Sequence, residues 1–323
     1  ILQAIDEYYK TDINVGKIST DSNSGYNWQD ELHKEDLSDE HIQKIIRAIL
    51  KQAIIEDTHE VTFQGEDDGL GVNFKKHGEF TSKGNIPTTL VASFIAKLKT
   101  LSELDPSVSE VPQLGKICFK VDDIVVLASV STFPTIMGER IFLKIYKPPK
   151  ALDKIISSKT ELAELKQSLE KPGIILVCGS SLSGKTHIIY SLLLEAAKNR
   201  YKNIMTLESI AKYELSGVNQ CEFNENVGFN MDKAARFIGF QNPDIIYLEG
   251  INSKETFEYF SSLVFNDKTI IMEFLANNME DLRNKMAFSD FDTLKGLISS
   301  MVFIHSQNSV EVFNKEALQK YLG

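Results

Sequence analysis

The chain has few cysteines and no long apolar run. Its 323 residues include three cysteines, which lie far apart and form no C-x-x-C pair: Cys118, Cys178 and Cys221. This spacing excludes a zinc site of the usual sequence pattern and is typical of a reducing compartment. No apolar run approaches the ~20 residues that a membrane-spanning helix needs. We therefore expect a cytoplasmic protein.

Positive charge is also scarce, and arginine contributes least to it. The formal net charge is −10 at pH 7, and the 35 basic residues comprise 30 lysines and only five arginines. Affinity for the phosphates of nucleic acids comes from clustered lysine and arginine. The charge balance therefore argues against a nucleic-acid partner.

One motif predicts a binding site on its own. Residues 179–186 read G-x-x-x-x-G-K-T and comprise Gly179, Ser180, Ser181, Leu182, Ser183, Gly184, Lys185 and Thr186. The apolar run before the motif predicts a buried strand and the apolar positions after it predict a helix, which is the context of a phosphate-binding loop. Backbone N–H groups and the helix N-terminus would hold a di- or triphosphate. Lys185 would reach its β/γ-phosphates and Thr186 would ligate Mg²⁺, so the predicted cofactors are ATP and Mg²⁺.

The sequence of the first half predicts the remnant of an upstream domain, followed by a small domain. Residues 1–37 are polar, with no initiating methionine and no signal peptide, so we expect them to be the remnant of an upstream domain and a linker in a longer protein. Residues 38–147 predict an α+β domain. Its expected elements are a helix from the N-cap Ser38 to about residue 55, strands near 61–63 and 72–74, a helix near 86–104 opened by Pro87, and strands near 116–120, 124–130 and 140–146.

Residues 148–323 change to alternating helices and buried strands. The strand candidates are 173–178, 203–207, 244–248, 268–274, 301–305 and 309–313. This alternation predicts an α/β domain with a mostly parallel sheet covered by helices. A nucleotide site in such a sheet is expected at the carboxyl ends of the strands.

The order of further motifs resembles a known family. Residues 206–209 lie at the end of the predicted strand 203–207, and 213–220 follow it. Residues 241–248 include the predicted strand 244–248, and 130–140 lie in the first domain. In this order they resemble the assembly ATPases of type II secretion systems and type IV pili, over about residues 38–305. The resemblance implies a RecA-like P-loop domain after a smaller, PAS-like α+β domain, and a hexameric ring. It also implies an inner-membrane platform protein as partner and a cytoplasmic location beside that membrane.

Two acidic residues are the candidate catalytic groups that the resemblance implies. The family's T-I-E-D-P box reads Thr206-Leu207-Glu208-Ser209-Ile210 here, so Glu208 remains and a serine replaces the second acid. The family's G-E-I-R-D segment carries its catalytic carboxylate, but here glycine and glutamate are exchanged and the segment begins with Glu249. Since strand side chains alternate between faces, we expect the shift to aim Glu249 away from the phosphate; a bulge would restore it.

Other family residues that act on the bound phosphate are also replaced. The histidine of the T-L-H-T-N box is Ala276, and three family arginines are Glu110, Ser129 and Phe240. An arginine that neutralises the transferring phosphoryl group is worth roughly 10³–10⁵ in rate. Drift towards a lysine-rich composition does not explain glutamate, serine and phenylalanine at these positions. The replaced residues are therefore concentrated among those that the family uses for hydrolysis.

Two functions remain, and they belong to different classes. The first is a pseudo-ATPase that keeps nucleotide binding and serves as a scaffold or regulator, in a ring of identical or mixed subunits. The alternative is an active ATP-hydrolysing hexameric motor, which the intact loop and Glu208 support. A P-loop kinase would need a lid and an acceptor site, and the sequence indicates neither.

Overall fold

The chain divides into two compact units, Ile1–Pro148 and Pro149–Gly323. The computed structural model describes residues 27–33, 38–76, 78–121, 124–146, 148–181, 183–224, 227–250, 254–286, 296–306 and 309–322. Each unit has its own apolar core. No helix in the described part of the chain combines the length and the apolar character needed to span a bilayer.

The first unit is an antiparallel sheet that packs against two helices. Its helices are Asp39–Ile55 (α1) and Thr88–Leu101 (α2). Its strands are Glu60–Glu66 (β1), Gly69–Lys76 (β2), Glu79–Pro87 (β3), Gln113–Val121 (β4), Ile124–Thr135 (β5) and Gly138–Tyr146 (β6). They lie in the order β3-β2-β1-β6-β5-β4, with antiparallel neighbours throughout. The α+β prediction for this part of the chain is confirmed.

The start of α1 follows the sequence closely, whereas β3 and α2 do not. Ser38 caps α1 by accepting a hydrogen bond from the backbone N–H of His41. The strand β3 was not predicted, because it is an edge strand whose side chains are mostly exposed and show no clear apolar alternation. Pro87 ends this strand and caps α2, so the helix is shorter than the predicted 86–104.

A segment assigned to the linker packs into the core of the first unit. Residues Trp28–His33 form a 3-10 helix, and the Trp28 side chain is buried among the residues of that core. Its backbone N–H donates to the Gln52 side chain on α1 at 3.1 Å. Burial of an indole ring removes a large apolar surface from water, and this gain holds the segment against the domain.

The second unit is a mostly parallel sheet. Its strands are Gly173–Gly179 (β7), Ile204–Glu208 (β8), Asn219–Glu222 (β9), Ile245–Leu248 (β10), Thr269–Leu275 (β11), Ile298–Ser306 (β12) and Ser309–Asn314 (β13). They lie in the order β13-β12-β7-β11-β10-β8-β9, and the pair β12–β13 is antiparallel. The predicted RecA-like α/β architecture is thereby confirmed. The strand β9 was not predicted, because it is only four residues long.

Helices cover both faces of this sheet. They are Lys159–Ser168 (α3), Lys185–Ala196 (α4), Met231–Ile238 (α5), Lys254–Val264 (α6), Met279–Met286 (α7) and Lys315–Leu322 (α8). Ile175 and Val177 of β7 pack with α4, while Ile174 and Leu176 pack on the opposite face with α6. Because β7, β11, β10 and β8 are parallel neighbours, their carboxyl ends meet at one edge. We call it the carboxyl edge.

Candidate functional site

The predicted phosphate loop connects β7 to α4 at the carboxyl edge. Gly184 caps α4 with φ = 102°, a left-handed conformation that glycine adopts without steric cost. A side chain at Gly179 would bring its Cβ within 2.5 Å of the Ser183 hydroxyl and 2.9 Å of the Ile304 carbonyl oxygen. Both glycines therefore serve the turn. Leu182 lies outside the described residues.

The described residues of this loop fit a phosphate group. The buried hydroxyl of Ser183 has no hydrogen-bond partner within the described part of the chain. Lys185 is buried, and its Nζ donates to the Ser180 carbonyl oxygen at 2.7 Å. Thr186 is half-buried in the first turn of α4, whose N-terminus favours an anion. The roles assigned to Gly179, Ser180, Ser181 and the other loop residues stay predictions.

A carboxylate that the sequence analysis missed lies beside the loop lysine. Glu273 on β11 places its Oε1 3.8 Å from Lys185 Nζ, and the Tyr247 hydroxyl donates to its Oε2 at 3.1 Å. Glu273 pairs with Val177 in the β11–β7 register and therefore faces the α4 side of the sheet. One charged residue within an otherwise apolar strand was the available signal.

Glu208 ends β8 in a fully buried position on the same side. The Tyr190 hydroxyl of α4 donates to its Oε2, and Lys212 Nζ lies 3.6 Å from the same oxygen. The backbone N–H of Lys212 donates to the Tyr190 hydroxyl oxygen at 2.7 Å. Burial raises the pKa of Glu208, although Lys212, Tyr190 and Thr206 act to lower it.

Glu249 follows β10 and shares this lysine. Its Oε1 pairs with Lys212 Nζ, and its Oε2 accepts from the backbone N–H of Ser209 at 2.6 Å and from the Ser209 hydroxyl at 2.7 Å. Burial raises the pKa of Glu249, but Lys212 and Ser209 outweigh this and hold the pKa below its usual value. We call Tyr190, Glu208, Ser209, Lys212 and Glu249 the carboxylate cluster.

Glu249 lies on the α4 side of the sheet with its oxygens on Lys212 and Ser209, and the expectation that it is aimed away from the phosphate stays a prediction. Tyr247, two residues earlier, belongs to the core on the α4 side, so alternation returns Glu249 to that side. No bulge is needed: the β10–β8 register runs unshifted to Leu248 opposite Leu207, and the Glu249 N–H continues it by donating to the Leu207 carbonyl at 3.0 Å. The residues after Gly250, 251–253, lie outside the described part.

Five charged groups thus gather at the carboxyl edge on the α4 side: Lys185, Glu208, Lys212, Glu249 and Glu273. Burial raises the pKa of Tyr247 well above its usual value, and Glu273, Glu249 and Glu208 raise it further. The described residues contain no group of three histidine, cysteine or acidic side chains arranged to hold a metal ion. The loop can bind an anion, while both oxygens of Glu249 and Oε2 of Glu208 accept hydrogen bonds from the chain's own donors.

The family's histidine and three arginines are replaced here by residues that carry no positive charge. Ala276 is buried, and its N–H donates to the Gly179 carbonyl oxygen at 3.1 Å. In the first unit, Glu110 is exposed and Ser129 shares a hydrogen bond of 3.2 Å with the Tyr146 hydroxyl. Phe240 is 81% exposed in the second unit.

Comparison with known proteins gives a consistent relationship. Residues 35–263 match the family model described as "Type II/IV secretion system protein". The chain is 30% identical to the type II secretion system protein E of Pseudomonas aeruginosa over 71% of its own length and 46% of that protein. It is 31% identical to the type IV pilus assembly ATPase PilB of Acinetobacter baylyi over 67% of its length and 38% of that protein. It therefore spans less than half of either relative.

A solved structure supports the fold independently. The X-ray structure of the Legionella pneumophila ATPase DotB superimposes with a TM-score of 0.66, covering 86% of this chain and 83% of that one. The sequence identity is only 12%, so this similarity speaks for the fold alone.

Proposed function

The chain belongs to the type II/IV secretion system protein family, and on this basis we propose that it is a nucleotide-binding subunit that hydrolyses ATP weakly or not at all. It binds its nucleotide with Mg²⁺ and serves as a scaffold or regulator of a secretion, pilus or motility machine. The phosphate loop supplies the binding, and the carboxylate cluster accounts for the weak hydrolysis.

The observation that carries this proposal is the position of Lys212. Its ammonium contacts both candidate catalytic carboxylates, Glu208 and Glu249, and is itself buried. A general base must have a free oxygen within reach of the attacking water, and a metal ligand must turn its lone pairs to the ion. Here both oxygens of Glu249 and Oε2 of Glu208 accept hydrogen bonds from Lys212, Ser209 and Tyr190, and the remaining oxygen, Glu208 Oε1, is buried without a hydrogen-bond partner among the described residues. Breaking a largely buried ion pair costs several kcal/mol, so Lys212 holds both carboxylates in these positions.

The phosphate loop supports retained binding. Its strand, turn and helix are in place, and the Ser183 hydroxyl, the Lys185 ammonium and the N-terminus of α4 lie where an anion would bind. Lys185 and Thr186 take the roles of phosphate and Mg²⁺ contacts. In this proposal residues 148–323 form the nucleotide-binding domain and residues 38–147 the smaller domain before it.

The family supports the assembly part of the proposal. Its members named above belong to secretion and pilus systems. We therefore assign the chain to a hexamer-like ring, of identical or mixed subunits, at the cytoplasmic side of an inner-membrane platform protein. Sedimentation of the purified chain with and without nucleotide tests the ring, since a chain that stays monomeric in both conditions contradicts it.

Binding and turnover can be separated in one preparation. We expect the chain to bind a fluorescent ATP analogue with Mg²⁺, and Lys185→Ala to weaken this binding about 10- to 100-fold, the cost of losing a charged hydrogen-bond donor. Phosphate release should be at least about 10³-fold slower than that of an active family member. Turnover at an active member's rate, absent from Lys185→Ala purified in the same way, supports the hexameric motor instead.

A further inference from the structure

Glu273 places a negative charge next to the lysine that would hold the nucleotide's phosphates. Its Oε1 lies 3.8 Å from Lys185 Nζ, and its side chain is 21% exposed. Neither the phosphate loop nor the carboxylate cluster requires this residue. Its effect on the proposed nucleotide site is therefore independent of both.

The carboxylate of Glu273 is fixed in place and is not a freely rotating surface group. The Tyr247 hydroxyl, whose ring is completely buried, donates to Oε2, which leaves Oε1 on the side of Lys185. The backbone of Glu273 pairs with Val177, two residues before the loop begins at Gly179. A bound phosphate chain at Lys185 would consequently meet this charge at short range.

The other buried lysine of the carboxyl edge does not offset this charge. Lys212 is already paired with Glu249 and lies 3.6 Å from Glu208, so two carboxylates share its single positive charge. Lys185, in turn, also donates to the Ser180 carbonyl oxygen. Lys212 therefore does not offset the repulsion between Glu273 and an additional negative charge brought beside Lys185.

A triphosphate brings more negative charge to this place than a diphosphate. The loop lysine reaches the β- and γ-phosphates, so the γ-phosphate of ATP would lie nearest to the carboxylate beside that lysine. Like charges a few ångströms apart in a partly buried site repel strongly. ADP lacks the γ-phosphate and avoids most of this repulsion.

We propose that Glu273 makes this site selective for nucleoside diphosphates over triphosphates. This inference rests on the proposed nucleotide binding and names the nucleotide that the site retains. The subunit then remains in the state that follows hydrolysis, even when its own turnover is absent.

The test compares the affinities of ADP and a non-hydrolysable ATP analogue by calorimetry, each with Mg²⁺. We expect ADP to bind at least about tenfold more tightly. Glu273→Gln keeps the shape but removes the charge, and it should tighten the ATP analogue about tenfold while changing ADP less than about threefold. Glu255→Gln, an exposed glutamate on α6, removes one charge elsewhere and should change neither affinity.

Several results would overturn the proposal. Equal affinities that Glu273→Gln leaves unchanged would remove the selectivity but leave nucleotide binding intact. Weaker binding of the Mg²⁺–ATP analogue to Glu273→Gln would make Glu273 a metal contact instead. Absence of binding by ADP and the analogue to every variant would remove both this inference and the binding proposal. If Glu273→Gln fails to fold, Tyr247→Phe frees the carboxylate to turn away and should narrow the ratio; an unchanged ratio contradicts the proposal.

Discussion

The phosphate loop and the carboxylate cluster share the carboxyl edge, but the first is formed by the backbone and the second by side chains. The loop depends on backbone: the left-handed Gly184, the close approach at Gly179 and the start of α4. The cluster depends on contacts between side chains, with Lys212 between Glu208 and Glu249. Backbone geometry follows from the fold and persists as long as the fold does, whereas a few substitutions redirect side chains. Binding and hydrolysis can therefore be lost separately within one site.

The first unit contains a buried pair that sharpens this comparison. Lys99 on α2 is fully buried and bonds both oxygens of Glu139 at 2.8 and 3.0 Å, and its ammonium also donates to the Val108 carbonyl. This lysine has one carboxylate partner, so its charge is matched. Lys212 contacts two carboxylates with one ammonium, so the carboxylate cluster keeps an excess of negative charge.

The largest expected effect is that of removing the lysine from the carboxylate cluster. Lys212→Met would leave the buried Glu208 and the half-buried Glu249 close together without their cation, and we expect it to lower the free energy of unfolding by about 3–5 kcal/mol. Urea denaturation followed by far-UV circular dichroism measures this. Lys285→Met breaks a solvent-screened pair with Asp281 and should lower the free energy of unfolding far less than Lys212→Met does. Equal costs for the two variants would show that the cluster is not held by its charges.

A smaller effect is expected from straining the loop. A Cβ at Gly184 would meet no described atom within 4 Å, so Gly184→Ala carries only the cost of the left-handed backbone, about 1–2 kcal/mol. If the loop relaxes to relieve this strain, nucleotide affinity should fall about 5- to 30-fold. Gly217→Ala, at φ = 84° outside the loop, is the matched control and should cost similar stability without changing affinity. Loss of affinity in both variants would mean that the loop backbone has no special part in binding.

The smallest effect is a pH dependence of opposite sign for the two carboxylates. Burial raises the pKa of Glu249, but Lys212 and Ser209 hold it below 4.5, so its stabilisation is present above pH 4.5 and is lost as the pH falls through the lowered value. Burial raises the pKa of Glu208 above 4.5, so the folded chain takes up that proton first and gains stability as the pH falls.

Two isosteric variants test these signs. Glu249→Gln should flatten the loss of stability on acidification, and Glu208→Gln should steepen it, as measured by the urea midpoint between about pH 3.5 and 7. The unaltered chain at each pH is the reference. Shifts of the same sign in both variants would contradict the assigned environments.

The sequence predicted those parts of the molecule whose signals are local. The apolar runs of β7, β10 and β11 and the motif at 179–186 placed the sheet and the loop correctly. The edge strand β3 and the short strand β9 were missed because exposed or brief strands show little periodicity. The sequence alone provided no fixed reference for the face on which Glu249 lies; Tyr247, two residues earlier in the core on the α4 side, supplies that reference in the structure.

The contacts that define the site were beyond sequence reasoning. Lys212 meets Glu249 across 37 positions of the chain, and Tyr190 meets Glu208 across 18. Only the parallel order of β8, β10 and β11 brings such residues to one edge. Glu273 stood out as a charge within an apolar strand, but its proximity to Lys185 follows from the pairing of β11 with β7.

The burial of Trp28 gives the molecule an optical reporter confined to one of its units. The chain has a single tryptophan, and its indole lies in the core of Ile1–Pro148, whereas the phosphate loop belongs to Pro149–Gly323. Tryptophan emission therefore follows the melting of the first unit, while circular dichroism follows both. If nucleotide shifts the melting curve recorded by tryptophan emission, binding in the second unit is transmitted to the first. If only the curve recorded by circular dichroism shifts, the effect stays in the second unit.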